Sequence, residues 1–288
     1  MAEKTPVAAK SQTALLLKRY RLTAKKNLGQ NFLIDPKIAE GIISAAQLEA
    51  GELVIEIGPG LGALTELIAE KAAVTAIELD RTLAELLKKR FAGSPQVEII
   101  SGDALTVDFD ALAAARGFTE YKVIANLPYY ITTPLVMRIL EKTQNWTSLI
   151  LMMQKEVADR LAAPPGGKDC GAISLAVQYR AQVEKLFIVP PQAFLPSPAV
   201  FSTVARFFKL KQPPVSPVDE DLFFSTIAAA FGQRRKTLLN SLSNSGMREK
   251  DFWQQCLAAC GVDGQRRGET LSLEEYCCLS DYCSEQSK

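Results

Sequence analysis

The sequence predicts an α/β protein: a doubly wound, Rossmann-like sheet followed by a smaller, all-helical C-terminal domain. Three observations carry that reading. Short apolar runs alternate with segments of helical spacing as far as about Ala163, as expected of strands covered by helices on both faces. A glycine-rich turn, Gly58-Pro59-Gly60-Leu61-Gly62, directly follows one of those runs. Beyond a proline-rich stretch at 209–217, stiff enough to act as a linker, strand character fades and helical spacing remains. The expected organisation is a basic N-terminal extension at 1–24, an α/β domain at 25–208, the linker, and a helical domain at 218–288.

Taken in order, Asp35 is an N-cap and Pro36 a first helical residue. Residues 53–57 form a buried strand, and a helix opens from about Ala63 after the glycine turn. A second strand at 74–77 ends at Glu78, and a third at 97–100 runs into Ser101-Gly102-Asp103-Ala104. The run 121–125 closes on Asn126-Leu127-Pro128-Tyr129, with Thr133 expected to cap the next helix ahead of Pro134. Two further strands are expected near 185–189 and 200–208, the first leading through Pro190-Pro191 to Phe194. The glycine-proline loop 164–168 is a candidate RNA contact, and helices are expected at 222–231, 236–242 and 251–259.

Ligands of open α/β sheets bind where strands end, and here successive strand ends carry Gly58, Glu78 and Asp103. The glycine spacing is G-x-G-x-G. It lacks the G-x-G-x-x-G of a dinucleotide site and the Gly-Lys-Ser/Thr ending of a phosphate loop. Carboxylates without a dedicated cation suit a nucleoside that carries no phosphate, and S-adenosyl-L-methionine fits that description best. Glu78 is expected to accept from the ribose hydroxyls and Asp103 from the adenine amine. Glu56 either reaches the amino end of the cofactor or holds the loop through backbone amides; both readings stand.

The Asn126 loop offers acceptors and an aromatic face, the groups that hold a planar base by its exocyclic amine. An adenine N6 amine is a poor nucleophile because its lone pair is delocalised into the ring. Acceptance of its two N–H bonds by the Asn126 side-chain carbonyl and the Leu127 backbone carbonyl favours a pyramidal nitrogen aimed at the methyl group. Pro128 keeps the turn rigid, and Tyr129 stacks on the base, an interaction worth about 1–3 kcal/mol.

Composition narrows the alternatives. The 288 residues are 48% hydrophobic, enough for a large core divided once. No window approaches the roughly 18 apolar residues of a membrane span, and no secretory signal is evident, so a cytoplasmic protein is expected. There is no histidine, which excludes Ser-His-Asp and Cys-His catalysis and the common histidine-containing zinc sites. Methyl transfer needs no imidazole base: the donor is already activated, and orientation alone supplies roughly 7–11 kcal/mol in aligned systems. The cysteines Cys170, Cys256, Cys260, Cys277, Cys278 and Cys283 form no paired C-x-x-C knuckles and are expected as reduced, partly buried thiols, with no metal.

Several segments together resemble the ribosomal RNA adenine N6-dimethyltransferases. They are Gly29-Gln30-Asn31-Phe32-Leu33, Glu56 to Gly62, Ile77-Glu78-Leu79-Asp80, Gly102-Asp103-Ala104, Asn126 to Pro134, and Phe194 to Val200. The resemblance runs from about Lys25 to the C-terminus. Segments 230–238 and 267–272, together with Leu127 where the large-subunit antibiotic-resistance relatives typically carry Ile, favour the small-subunit branch. It implies a class I methyltransferase sheet. It implies cofactor contacts from Asn31, Leu33, Gly58, Gly60, Glu78, Asp103, Ala104 and Asn126, and Phe194 covering the base face opposite Tyr129. The substrate it implies is two adjacent adenines in a hairpin near the 3′ end of 16S-type RNA, met in an immature 30S-type particle, and the product is N6,N6-dimethyladenosine.

Net charge is only +1, but its distribution is uneven. The first 30 residues hold seven Lys or Arg against one Glu, and Lys25, Lys26, Lys155, Arg160, Arg234, Arg235, Lys236, Arg266 and Arg267 are the expected RNA contacts. The N-terminal stretch could instead serve as an organelle-targeting tail. A monomer is expected. The competing classes are a large-subunit RNA, DNA or protein-amide methyltransferase, and a non-catalytic assembly or transcription factor on the same scaffold.

Overall fold

The computed structural model describes residues 6–167, 169–233 and 235–286. It opens with helix α1 (Lys10–Arg19) and a two-residue strand β1 (Phe32–Leu33), then α2 (Pro36–Ala46), whose N-cap Asp35 accepts from the amides of Lys37 and Ile38. Strands and helices then alternate: β2 (Leu53–Ile57), α3 (Ala63–Ala69), β3 (Ala73–Glu78), α4 (Arg81–Arg90), β4 (Val97–Ser101), α5 (Phe109–Ala115), β5 (Tyr121–Asn126), α6 (Thr132–Lys142) and β6 (Trp146–Gln154). After α7 (Lys155–Leu161) and α8 (Ala172–Gln178) come β7 (Ala181–Val189), β8 (Phe194–Leu195) and β9 (Ser202–Lys209). The remainder is helical: α9 (Glu220–Phe231), α10 (Leu238–Ser243), α11 (Lys250–Ala259) and α12 (Leu273–Glu285).

The main sheet has the order β4-β3-β2-β5-β6-β9-β7. Strands β4, β3, β2, β5 and β6 are parallel, and β9 runs antiparallel to β6. The chain winds outward from β2 through β3 and β4, then resumes on the other side at β5, so the switch point lies between β2 and β5, where such sheets bind ligands. All five residues of β2 are buried, as a strand covered on both faces requires. A second, two-stranded sheet pairs Leu33 with Phe194 antiparallel.

The chain divides into two compact units, Met1–Ala158 with Val183–Lys209, and Asp159–Gln182 with Leu210–Lys288. Residues 159–182 thus group with the C-terminal helices, whereas the sequence reading placed them in the α/β domain. The physical reason is packing: Ala163, Cys170, Leu175 and Tyr179 are buried in one core with Phe223, Trp253 and Tyr276. Gly268 allows close helix approach in that unit, because a Cβ there would lie 2.9 Å from the Ala230 carbonyl oxygen. The core of the first unit includes Ile42, Val54, Ile68, Ile124, Ile150 and Phe194.

Two local expectations are corrected, and the N-terminal segment is found to be packed. Thr133 caps nothing: α6 starts at Thr132, and Pro134 sits in the first turn, where its missing N–H costs no bond. Cys260 and Cys278 are joined by a disulfide, with Cα atoms 5.9 Å apart, rather than being reduced thiols; the end of α11 and the middle of α12 meet there. Among the described residues Cys170, Cys256 and Cys283 are buried and Cys277 is half-buried, and none of the four is disulfide-bonded. The N-terminal extension packs on the rest of the chain within 6–24. Val7, Ala8, Thr13 and Leu16 are buried, and Val7 and Leu16 pack with Phe32, Leu61, Leu83 and Leu86.

Candidate nucleoside and base site

Each strand end facing the switch point contributes one polar group, and the backbone between them is drawn tight. Gly58 follows β2 with φ +67°, and a Cβ there would stand 3.9 Å from the Asn126 carbonyl oxygen at the end of β5. Its N–H donates to the Ile77 carbonyl on β3. Gly60 donates its N–H to Glu78 Oε2 (3.0 Å), and Asp80 donates its N–H to Glu78 Oε1 (2.9 Å). Glu78 is thereby a buried clamp on the glycine loop, with lone pairs left over for a ligand. Burial raises its carboxyl above the usual carboxylate range, against the pull of those backbone bonds.

Glu56 lies inside β2 rather than in the loop, 1% exposed, and Thr65 Oγ1 on α3 donates to its Oε2 at 2.6 Å. Burial pushes its carboxyl up to about 8; the Thr65 hydroxyl offsets part of this and the nearby Glu78 adds to it. Asp103 folds back on its own turn, accepting from the Leu105 amide (2.9 Å), and Gly102 donates to the Glu78 carbonyl (3.0 Å). The Ala104 carbonyl accepts from Arg138 Nε (3.3 Å), and Arg138 Nη2 donates to the Val107 carbonyl (2.7 Å).

At the β5 end, Asn126 Nδ2 donates to the Asn31 carbonyl (3.1 Å), and Asn31 Nδ2 donates to the Gly29 carbonyl (3.2 Å). This orients the amide: the nitrogen is held by the 29–33 segment, and among the described residues the oxygen accepts no hydrogen bond. The Leu127 amide donates to the Met152 carbonyl (3.0 Å), and the Pro128 carbonyl accepts from Ile131 and Thr132, closing the turn. The Tyr129 hydroxyl is bonded to Ser202 Oγ at 2.9 Å, and burial raises its phenol above the ordinary value. Phe194, almost fully buried, sits opposite Leu33 in the small sheet.

One cleft brings together Asn31, Leu33, Glu56, Gly58, Gly60, Glu78, Asp103, Ala104, Asn126, Leu127, Pro128, Tyr129 and Phe194. Every expected cofactor and base residue therefore lines the same space, and among the described residues no Lys or Arg does. That lining suits a cationic or neutral nucleoside and offers nothing for a phosphate. Three further groups escaped the sequence reading. Val7 and Thr13, from the N-terminal segment, line the cleft, as does Tyr130, whose ring would touch a Cβ on Gly29 at 3.3 Å. Asp80 also gathers Lys25 Nζ (2.9 Å), Gln30 Nε2 (3.1 Å) and the Thr82 amide (3.0 Å), so it caps α4 and pins the 25–30 segment beside Glu78.

The basic residues divide into two groups. Lys25 is paired with Asp80, and the Arg266 guanidinium is held by both Glu275 oxygens and by Thr270, so these two serve the fold. Lys26, Lys155, Arg160, Arg235, Lys236 and Arg267 are exposed. Arg234 and Lys168 lie outside the described residues. Among the described residues no cluster of three His, Cys, Asp or Glu side chains is placed to hold a metal, and no helix is long and apolar enough to cross a membrane.

Comparison with known proteins agrees with this geometry. Solved structures with the same fold include a dimethyladenosine transferase from Plasmodium falciparum (TM-score 0.73, 24% identity, 86% of this chain and 95% of that one). Another is the 23S rRNA methyltransferase ErmE (TM-score 0.68, 24% identity, 88% and 100%). Proteins named ribosomal RNA small subunit methyltransferase A are far more similar in sequence. That of Alkaliphilus oremlandii is 47% identical, covering 96% of this chain and 97% of its own, and that of Pelotomaculum thermopropionicum is 48% identical, covering 96% of each. With the family profile "Ribosomal RNA adenine dimethylase" matching residues 21–285, the chain belongs to the ribosomal RNA adenine dimethylase family.

Proposed function

We propose that this protein transfers methyl groups from S-adenosyl-L-methionine to N6 of two adjacent adenines in a hairpin near the 3′ end of 16S-type ribosomal RNA, giving N6,N6-dimethyladenosine as the small subunit matures. The observation that carries the chemistry is the fixed Asn126 amide in the cleft lining, whose nitrogen is held by Asn31 and whose oxygen accepts no hydrogen bond among the described residues. An acceptor held this way needs no reorganisation when the base arrives. Asn126 Oδ1 and the Leu127 carbonyl take the two N6–H bonds, Tyr129 stacks on the ring with its hydroxyl tethered to Ser202, and Phe194 covers the other face. The residues present fit the cofactor: Glu78 and Asp103 hold its nucleoside, Asn31 and Leu33 cover it, Gly58 and Gly60 give it room, and Glu56 faces its amino end. When bound, the cofactor supplies an electrophilic sulfonium methyl group. RNA phosphates are taken by the exposed Lys26, Lys155, Arg160, Arg235, Lys236 and Arg267, and the site of action is the cytoplasm.

The test is transfer of labelled methyl from S-adenosyl-L-methionine to undermethylated small subunits, followed by nucleoside analysis. The expected product is N6,N6-dimethyladenosine in the small-subunit RNA, absent with Asn126→Ala. Transfer to large-subunit RNA, to DNA or to protein instead would overturn the substrate assignment.

A further inference from the structure

We propose that Arg138 is a positioning residue for the methyl donor: through one peptide plane it fixes Asp103 Oδ1, leaves Oδ2 to accept the adenine amine, and so sets the preference for an adenine-bearing donor. This rests on the function given above, in which Asp103 takes that amine. Asp103 stands two residues past β4, which forms an edge of the main sheet and, among the described residues, pairs with β3 alone. The sheet therefore steadies the turn 103–107 from one side, and the rest of its order must come from elsewhere. Part is internal. The Thr106 N–H, the Thr106 hydroxyl and the Val107 N–H all donate to the Asp103 carbonyl, at 2.9, 3.0 and 3.2 Å.

The remainder comes from α6, where Arg138 is half-buried. Its Nε donates to the Ala104 carbonyl (3.3 Å) and its Nη2 to the Val107 carbonyl (2.7 Å). The peptide unit that carries the Ala104 carbonyl also carries the Leu105 N–H, which donates to Asp103 Oδ1 at 2.9 Å. Arg138, that peptide and Asp103 thus form one chain of hydrogen bonds, and a carbonyl that accepts from a charged donor strengthens its own N–H as a donor. Oδ1 is occupied by this chain; among the described residues Oδ2 accepts no hydrogen bond. Arg138 makes no ion pair among the described residues, so its guanidinium is spent on the two carbonyls rather than on neutralising an acid. A planar fork can hold two carbonyls at once, which a lysine ammonium cannot do in the same geometry. The helix that carries it is itself anchored. At its start the Ile131 N–H and the Thr132 hydroxyl both donate to the Pro128 carbonyl (3.2 Å each), so the brace on Asp103 stands on the turn that holds Asn126.

Calorimetry on the full-length protein compares S-adenosylhomocysteine with S-inosylhomocysteine, whose base carries a 6-oxo group in place of the amine. The variants are Arg138→Met, Arg138→Lys, Asp103→Ala and the double variant Arg138→Met with Asp103→Ala. Wild type is expected to favour the adenine ligand about tenfold or more, the scale of a hydrogen bond to a charged group. Arg138→Met should shrink that ratio about threefold or more, within the range of couplings inside one hydrogen-bond network, by weakening the adenine ligand and sparing the inosine one. Arg138→Lys, able to hold one carbonyl but not both, should shrink it less but measurably. In the double variant the ratio should equal that of Asp103→Ala, because Arg138 acts through that carboxylate. In turnover with undermethylated small subunits the Arg138→Met loss should fall on KM for the donor far more than on kcat. Equal weakening of both ligands, a ratio unchanged from wild type, or a further fall in the double variant overturns the positioning role and leaves the reading of Asp103 intact. Should Arg138→Met fail to fold, Arg138→Lys decides, and a wild-type ratio there overturns the role. A wild-type protein that binds the two ligands alike overturns both the adenine contact of Asp103 and the role of Arg138.

Discussion

Glu78 and Asn126 end the two strands that flank β2, yet their side chains are held in opposite ways. Glu78 has backbone N–H groups on both oxygens, from Gly60 and Asp80, and is buried. Among the described residues Asn126 is held only by its nitrogen, and its oxygen accepts no bond. The first arrangement fixes a loop; the second presents an acceptor. If the proposed function holds, one end of the cleft binds and the other acts, and substitutions at the two ends should separate in their kinetics.

The largest expected effect is at Asn126. Asn126→Ala should lower kcat about 10²- to 10³-fold, by analogy with loss of a preorganised oxyanion donor, while cofactor affinity, measured calorimetrically, changes much less. Asp103→Ala should weaken cofactor binding about 10- to 100-fold, the range for a charged hydrogen bond, with kcat at saturating cofactor nearly preserved. Equal loss of cofactor affinity in both variants would end the division of labour between the two ends.

Glu56 sharpens the comparison through pH. With its carboxyl pushed up to about 8, the folded protein holds a proton there that the unfolded chain has already lost above the ordinary value of 4.5. Stability contributed by this group therefore falls as pH rises from 4.5 toward 8. A cationic ligand favours the ionised form, so binding should release a proton below about pH 8, and affinity should climb with pH until that point. Glu56→Gln should remove the proton release, seen by calorimetry in buffers of different ionisation enthalpy, and flatten both slopes. Proton release that persists in Glu56→Gln would assign it elsewhere. The smallest effect is expected at Tyr129. Tyr129→Phe loses only the Ser202 bond, worth about 0.5–1.5 kcal/mol, and should cost a few-fold in kcat, whereas Tyr129→Ala, which also removes the stacking ring, should cost more. Equal kinetics for Phe and Ala would show that the ring does not touch the base.

Much of the cleft was readable in the sequence because strand, turn and helix follow one another within a few residues. Glu78, Asp103 and Asn126 each sit at or just past the end of an apolar run, and parallel strands carry such ends to one edge. Three of the second domain's helices, α9 to α11, were readable for the same reason, since their apolar spacing is local, whereas α12 was not among the expected helices. Leu33 and Phe194, by contrast, are partners across 161 residues, and no local periodicity announces that pairing. Basic residues looked alike in sequence until Lys25 met Asp80 and Arg266 met Glu275.

By itself the sequence determined the order and type of β2, α3, β3, β4 and β5, the acidic and glycine residues at their ends, and the absence of any imidazole chemistry. These follow from composition and from periods of two and 3.6 residues, which act over neighbours in the chain. Only the tertiary structure decided which end of the Asn126 amide stays open, that Glu56 lies buried beside Thr65, that Cys260 meets Cys278, and that Thr13 of α1 helps to wall the cleft. Each of those depends on groups brought together from distant parts of the chain, where packing and hydrogen bonding act through space.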